Sequence, residues 1–242
     1  MKDSEDAFGH SMYDYFLKQE GTGEIVERDD SFVNVSGGAE VYFSEYNEWP
    51  ELEKRALRYV RGRVLDIGCG AGRHSLFLQE KGYETVGIDS SPLAIEVCRQ
   101  RGVKNVQLVS ITDLSSDLGI FDTILMLGNN FSLLGTPSTA KELLGKFHTL
   151  TSEQGRIIAQ TRDPYQTDMA EHLEYHEANK KKGNLPGEAT IRIRYKKYAT
   201  SWFKFMLVSQ TEMVAILEAT NWHVTEFIDG EKGYFVAIIE KC

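Results

Sequence analysis

The spacing of apolar residues along the chain alternates between short, mostly apolar runs and the three- and four-residue repeat of helices. Mostly apolar runs of this length are typical of buried parallel strands, and they lie at residues 64–67, 85–88, 106–109, 121–127 and 156–160. Helical spacing lies between them, at residues 47–62, 73–81 and 92–101 and after the Thr136-Pro137 cap. This alternation predicts a doubly wound α/β fold with helices on both faces of the sheet.

The C-terminal part predicts how the sheet ends. The capping box Ser209-Gln-Thr-Glu212 indicates a helix through Ala219. Two apolar runs follow at residues 223–228 and 234–239, and the residues between them are too few for a crossover helix. We therefore expect a seven-stranded, mostly parallel sheet whose last strand is antiparallel.

The remaining segments indicate additions to a single domain of residues 1–242. Residues 1–40 are polar and contain many glycines, which is typical of a mobile or capping segment. A helix-like run at 168–178 and two strand-like runs at 190–198 and 201–208 predict a β-hairpin lid inserted over the carboxyl edge of the sheet. The predicted parts are a cap segment (1–49), a cofactor-binding core (50–162), a lid insertion (163–208), and a closing helix with two strands (209–242).

Composition narrows the class of protein. The net charge of −9 disfavours nucleic acid as a partner, because a phosphate backbone would be repelled. The chain lacks an apolar run of the roughly 18 residues that a membrane span needs, so we expect no membrane partner. Its acidic N-terminus lacks an apolar signal core, which disfavours export. Three scattered cysteines suit a reducing cytoplasm and predict no metal site. His172 and His176 have one metal-ligand spacing, but nothing nearby completes a site.

A glycine-rich turn at the end of the first core strand carries the main chemical information. Gly68, Gly70 and Gly72 follow that strand, and Asp89 ends the second. Glycine permits left-handed turns and close approach of a ligand, the next helix directs its positive end at the turn, and a carboxylate at Asp89 can accept both hydroxyls of a ribose. The plainer interpretation is a tight turn followed by a helix cap. The agreement of strand, turn, helix, strand and acidic end favours an adenosine-containing cofactor.

The spacing of the glycines separates two kinds of cofactor. Dinucleotides are bound by G-x-G-x-x-G beside a pyrophosphate, whereas this chain has G-x-G-x-G preceded by Asp66. A negative charge at Asp66 is unfavourable beside a pyrophosphate and favourable beside a cationic amine.

At these residues the sequence resembles the class I S-adenosylmethionine-dependent methyltransferases. Leu65-Asp-Ile-Gly-Cys-Gly-Ala-Gly72 is similar to the first motif of that family, and Gly87-Ile-Asp-Ser-Ser-Pro92 to the second. The resemblance implies that S-adenosylmethionine donates a methyl group to a small molecule by in-line displacement, leaving S-adenosylhomocysteine. It implies that Asp66 and the glycine turn hold the amino acid end and that Asp89 holds the ribose. The expected cofactor-binding residues are Tyr42, Asp66, Gly68, Cys69, Gly70, Gly72, His74, Asp89, Ser90, Ile111, Thr112, Leu127, Gly128 and Asn129.

Two parts of the expected cofactor site differ from the family pattern or stay open. The usual acidic residue after strand three is replaced by Ser110-Ile-Thr112, so we expect Ile111 to pack on adenine while backbone groups or Asp113 bond its amino group. Residues 127–131 should edge the pocket near the methyl, although they could also form a plain loop. This loop lacks the prolines that amino-nitrogen methylases of nucleic acid bases have at this position. Nor does any cysteine in the chain follow a proline, as the nucleophile of cytosine-carbon methylases does. The sequence therefore disfavours both classes of nucleic acid methylase.

The sequence says least about the molecule that accepts the methyl group. Arg192 and Arg194 share a strand face with Lys196, which indicates either a solvated surface or, with Arg162, a site for an anionic small molecule. Candidates for catalysis are Asn130, Asp163 and Tyr165. The aromatic residues Tyr42, Tyr46 and Trp49 could either close over the cofactor or simply pack against a helix of the cap segment. Alternatives to a methyltransferase are an NAD(P)-type oxidoreductase and a non-catalytic S-adenosylmethionine-binding module, and the protein is expected to be a monomer or a homodimer.

Overall fold

The structure is a computed structural model that describes residues 1–19, 23–218 and 220–242. Residues 20–22 of the predicted cap segment and Ala219, the predicted last residue of the C-terminal helix, lie outside the described residues. The helices are α1 Ala7–Phe16, α2 Glu51–Ala56, α3 Arg73–Glu80, α4 Pro92–Gln100, α5 Pro137–Thr149, α6 Ala170–Lys181 and α7 Gln210–Leu217. The strands are β1 Ile25–Arg28, β2 Val33–Val35, β3 Val64–Ile67, β4 Thr85–Asp89, β5 Val106–Leu108, β6 Phe121–Met126, β7 Thr151–Arg162, β8 Glu188–Tyr195, β9 Tyr198–Ala199, β10 Phe203–Met206, β11 Trp222–Asp229 and β12 Tyr234–Lys241.

The larger sheet has the predicted number and direction of strands. Its seven strands follow the order β11-β12-β7-β6-β3-β4-β5. Strand β4 is parallel to β3 and β5, and β6 is parallel to β7. Strand β12 pairs antiparallel with both β7 and β11. The α/β fold class, with a mostly parallel seven-stranded sheet and an antiparallel end, is confirmed.

The described residues form two compact units, made of residues 1–49, 63–114 and 191–203 and of residues 50–62, 115–190 and 204–242. In the first unit, Met12 of α1 packs with Ala71, Ala94 and Val97 in one buried cluster. In the second unit, the buried Trp222 of β11 donates its indole N–H to the carbonyl oxygen of Leu144 at 3.0 Å. Each unit therefore has its own buried apolar residues.

The cap segment contains more regular structure than the sequence predicted. Asp6 caps α1 by accepting the Gly9 amide at 3.0 Å, and its other oxygen accepts the amide of Leu93 in α4 at 3.2 Å. Strand β1 pairs antiparallel with β2 and with β8. Strands β1 and β2 were not predicted from the sequence, because they are short and the pairing that stabilises them comes from a strand far along the chain.

The lid insertion contains the predicted helix and two strands, with shifted ends. The helix is α6, and β8 and β10 are neighbours in a second sheet of order β10-β8-β1-β2. Along β8 the side chains of Ile191, Ile193 and Tyr195 are buried while those of Arg192 and Arg194 are more exposed. The predicted alternation of apolar and basic residues is therefore present on this strand.

Candidate functional site

The glycine turn between β3 and α3 adopts the backbone conformation that glycine favours. Gly68, Gly70 and Gly72 have φ angles of 69°, 55° and 81°, in the left-handed region that other residues rarely occupy. The amide of Gly68 donates to the carbonyl of Ile88 at 2.9 Å. The amide of Gly70 donates to Oδ2 of Asp89 at 3.0 Å. The turn is thus held against the end of β4.

Asp89 has hydrogen-bonding capacity left for a ligand. Its Oδ1 accepts the amide of Ser91 at 2.9 Å, in addition to the Gly70 bond. A third backbone amide, that of Ser90, also bonds Asp89. Since a carboxylate offers roughly four lone-pair sites, capacity for a ribose hydroxyl remains. The N-cap of α4 is Ser91, whose hydroxyl accepts the amide of Ala94, so α4 does not need Asp89 as its cap. Burial raises the pKa of Asp89, and the amides of Ser91 and Gly70 oppose that rise.

Asp66 is a second buried carboxyl group beside the turn. It lies in β3 with 2% of its surface exposed. Its Oδ2 accepts the hydroxyl of Ser75 in α3 at 2.6 Å. Burial raises the pKa of Asp66, while His74 and the Ser75 hydroxyl lower it. Carboxyl groups with perturbed pKa values are typical of functional sites, and this one is suited to a cationic amine.

Of the three cap aromatics, Tyr42 lies on the glycine turn. Its Cδ1 is 3.7 Å from the position that a Cβ on Gly70 would take. Burial, and then the charges of Glu24 and Asp89, raise the pKa of the Tyr42 phenol, so it is protonated at neutral pH. Tyr46 and Trp49 pack elsewhere in the first unit: the Tyr46 ring stacks on Phe77 at 4.5 Å, and the Trp49 ring lies 4.7 Å from that of His74.

The expected adenine segment forms a short 3-10 turn, Ile111–Asp113. The hydroxyl of Ser110 accepts the Thr112 amide at 3.3 Å, and the Thr112 hydroxyl donates to Asp113 at 3.2 Å. These polar groups bond one another, so contact of Ile111, Thr112 or Asp113 with adenine stays a prediction.

The loop after β6, in the second unit, contains a strained residue and an unpaired polar atom. The amide of Gly128 donates to Oε1 of Gln160 at 2.7 Å. Asn129 has a φ of 71°, a conformation that costs a non-glycine residue about 1–3 kcal/mol and is found at functional sites. Its Oδ1 is buried and has no hydrogen-bond partner among the described residues. This oxygen therefore has hydrogen-bonding capacity that no described residue uses.

The predicted catalytic residues occupy two places in the second unit. Asn130 begins a 3-10 turn that ends at Leu134. Asp163 accepts the amide of Tyr165 at 2.9 Å, and the Tyr165 hydroxyl donates to Glu212 at 2.8 Å. Burial, followed by the Glu212 bond, raises the pKa of Tyr165 to about 12. The phenol is therefore protonated at neutral pH and is poorly suited to removing a proton.

The predicted anion-binding arginines already have partners. The guanidinium of Arg192 donates to both carboxylate oxygens of Glu27, at 2.8 and 3.0 Å, and Arg194 donates to the same residue at 3.4 Å. Arg162 donates to the carbonyl of Lys232 at 3.0 Å. An anionic substrate would have to compete with these bonds.

Three residues that sequence analysis did not select also belong to these sites. Met12 lies on the glycine turn, with its sulfur 3.6 Å from the position of a Cβ on Gly70. Gln160 orients the loop after β6, and Arg101 donates to the carbonyl of Ala71 at 2.6 Å. Gln160 was detectable as a polar residue ending an apolar strand. Nothing in the local pattern distinguishes Arg101.

The described ranges contain neither a membrane-spanning helix nor a cluster of metal-ligating side chains. No helix there combines the length and the apolar character needed to cross a membrane. Nor do three or more His, Cys, Asp or Glu side chains there converge in a way that could hold a metal ion.

Comparison with known proteins finds similarity to methyltransferases. Residues 64–155 match the family model described as "Methyltransferase domain". A SAM-dependent methyltransferase from Bacteroides fragilis, solved in complex with S-adenosyl-L-homocysteine, is 26% identical and superposes with a TM-score of 0.85. That match covers 100% of this chain and 97% of the other.

Curated relatives match over part of their length. The glycine/sarcosine/dimethylglycine N-methyltransferase of Actinopolyspora halophila is 31% identical over 64% of this chain and 26% of its own length. The glycine/sarcosine N-methyltransferase of Halorhodospira halochloris is 33% identical over 47% of this chain and 43% of its own. The chain thus spans less than half the length of these two relatives.

Proposed function

We propose that this chain is a class I S-adenosylmethionine-dependent methyltransferase that transfers a methyl group from S-adenosylmethionine to a small molecule, because residues 64–155 match a methyltransferase domain and the fold is similar to that of a SAM-dependent methyltransferase. The observation that carries the proposal is the left-handed glycine turn flanked by the carboxyl groups of Asp66 and Asp89. We propose further that residues 1–242 act as a single domain. When bound, the cofactor supplies an activated methyl group, and the chain positions the acceptor and excludes water.

The proposed cofactor contacts follow the charges of the site. Asp89 accepts the ribose hydroxyls with its free lone pairs, and Asp66 provides negative charge for the ammonium end. Tyr42 and Met12 cover the turn from the cap segment. An oxidoreductase has less support, because the negative charge of Asp66 is unfavourable beside a pyrophosphate.

We propose an amino nitrogen as the accepting atom. The Oδ1 of Asn129 has unused capacity to accept an N–H bond, and the family resemblance implies that this loop is near the methyl. Two relatives are named as N-methyltransferases of glycine and sarcosine. Residues 1–49 hold 12 of the 36 acidic residues and 3 of the 27 basic ones, so this segment carries 3 − 12 = −9 and the rest of the chain is neutral. Such a field favours approach of cationic amines.

An anionic acceptor held by Arg162, Arg192 and Arg194 has weaker support, since all three guanidinium groups are engaged. Asn130 and Asp163 stay candidates for orienting the amine or removing its proton.

We propose that the protein acts in the cytoplasm as a monomer or homodimer. The sulfur atoms of Cys69 and Cys98 are 4.0 Å apart as free thiols, which is consistent with a reducing compartment.

Calorimetry with S-adenosylmethionine, S-adenosylhomocysteine and NAD tests the cofactor. We expect binding of the first two and none of NAD, and the opposite pattern would contradict the proposal. Transfer of labelled methyl groups is then measured with glycine, sarcosine and an amine-free carboxylate as control. Labelling of amines alone supports an amino acceptor. Cofactor binding without labelling of any compound in a metabolite extract would indicate a non-catalytic binding module.

A further inference from the structure

Arg101 contacts both the glycine turn and the cap segment. It follows the last residue of α4, and its Nη1 donates to the carbonyl of Ala71 at 2.6 Å and to the carbonyl of Tyr42 at 3.3 Å. Its guanidinium carbon lies 4.7 Å from the ring centroid of Phe43. One side chain therefore joins the turn expected to bind the cofactor to the segment that covers it.

On the turn, α4 fixes the direction of two successive carbonyl groups. The thiol of Cys98 donates to the carbonyl of Gly70 at 3.0 Å, next to the Arg101 bond at Ala71. In a planar trans peptide the C=O and N–H bonds point in opposite directions. The amide of Ala71 therefore points away from α4. These bonds select the peptide orientation that the turn presents to a ligand.

On the cap segment, Arg101 contacts the carbonyl of Tyr42 and the ring of Phe43. The ring of Tyr42 in turn lies on Gly70. Arg73 holds the other end of the same stretch, donating to the hydroxyl of Ser44 at 3.2 Å with its guanidinium over the ring of Trp49. Residues 42–49 are thus held at both ends, by Arg101 just after α4 and by Arg73 at the start of α3.

The chemistry at Arg101 requires arginine. Burial lowers the pKa of its guanidinium, and the acceptors are two backbone carbonyls, which stabilise a cation less than a carboxylate does. A planar guanidinium can bond two carbonyls and stack on a ring at once, whereas a lysine ammonium is a point donor. The half-buried guanidinium thus joins two segments in a way that a lysine can reproduce only in part.

We propose that Arg101 is a positioning residue that couples closure of residues 42–49 over the cofactor to the conformation of the glycine turn. The inference rests on the proposed function, because it assigns the ligand of the turn to S-adenosylmethionine. In this scheme a cofactor that orders the turn also orders the cap through Arg101, and loss of Arg101 uncouples the two.

The test measures amide hydrogen exchange and ligand affinity in the full chain. Arg101→Ala should raise the exchange rates of residues 42–49 and 69–72 together by about tenfold without ligand. It should also weaken S-adenosylhomocysteine binding by about tenfold, since a charged hydrogen bond is lost. Arg101→Lys should give intermediate values. Arg99→Ala is the matched control, because Arg99 is exposed on the same helix and its loss should change neither quantity.

A double-mutant cycle distinguishes the proposed coupling from a purely structural role of Arg101. If Arg101 acts through the cap, Arg101→Lys should weaken S-adenosylhomocysteine binding less in a Phe43→Leu background than in the wild type. Additive effects, or exchange rates in Arg101→Ala equal to those in Arg99→Ala, would overturn the inference. Joint loosening of the two segments in a protein that binds no S-adenosylhomocysteine would support the coupling and contradict the proposed function.

Discussion

Gly72 should tolerate no side chain, for two separable reasons. Its φ is 81°, and the left-handed conformation costs an alanine roughly 1–2 kcal/mol. A Cβ there would also lie 2.7 Å from Cγ2 of Val103 and 3.0 Å from Sγ of Cys98. Crowding a well-packed site costs about 1–3 kcal/mol more. Gly72→Ala should therefore lower the free energy of unfolding by about 2–5 kcal/mol in total, a large share of a typical 5–15 kcal/mol.

Gly82 provides a matched control. It has a φ of 87°, but a Cβ there would meet nothing within 4 Å. Gly82→Ala should show the backbone cost alone, so the two variants should differ by about 1–3 kcal/mol. Urea unfolding followed by circular dichroism measures both, and calorimetry with S-adenosylhomocysteine should show weaker binding in Gly72→Ala only. Equal losses of stability would refute the argument from crowding.

The remaining predictions concern charge, proton transfer and packing. Asp89→Ala should weaken cofactor binding more than about tenfold, the value of a charge-assisted bond, and calorimetry within about twofold of wild type would exclude the ribose contact. Because burial raises the pKa of Asp89 and binding uses its charged form, the cofactor Kd should rise as pH falls toward that pKa. The contribution of Asp89 to the free energy of unfolding increases over the same fall in pH, since it is complete below the unfolded pKa and is lost as pH rises through the folded pKa. Tyr165→Phe should leave kcat within about twofold, because a phenol with a pKa of about 12 is not the base, and a loss of kcat at constant KM would show otherwise. Trp222→Phe should cost about 1–3 kcal/mol in thermal unfolding, because it removes part of a buried ring and the hydrogen bond from its indole N–H to the carbonyl of Leu144, and an unchanged Tm would contradict that contribution.

Much of the core could be predicted because its information is local. Apolar runs, caps and glycines set β3, β4, α4 and their connections within a few residues of the observed ends. Strand β7 was underestimated, since it runs through residues 151–162 and its polar first half has no apolar pattern. The helix predicted at residues 47–62 was too long. In the structure it is α2, Glu51–Ala56, followed by a 3-10 turn at Leu57–Tyr59.

Long-range partners were the part that could not be predicted. Strand β1 forms because β8 offers it a pairing edge, and Glu27 on β1 neutralises the arginines that the sequence presented as free cations. Arg101 resembles any basic residue at a helix end until its two carbonyl acceptors are located.

The sequence by itself determined the class of protein, because the glycine spacing, Asp66 and Asp89 lie within 24 consecutive residues and their roles depend on local backbone geometry. Only the tertiary structure decided what covers and holds that turn. Met12, Tyr42 and Arg101 reach it from segments that are distant in the chain, and hydrogen bonds and burial between distant segments leave no periodic pattern in the sequence.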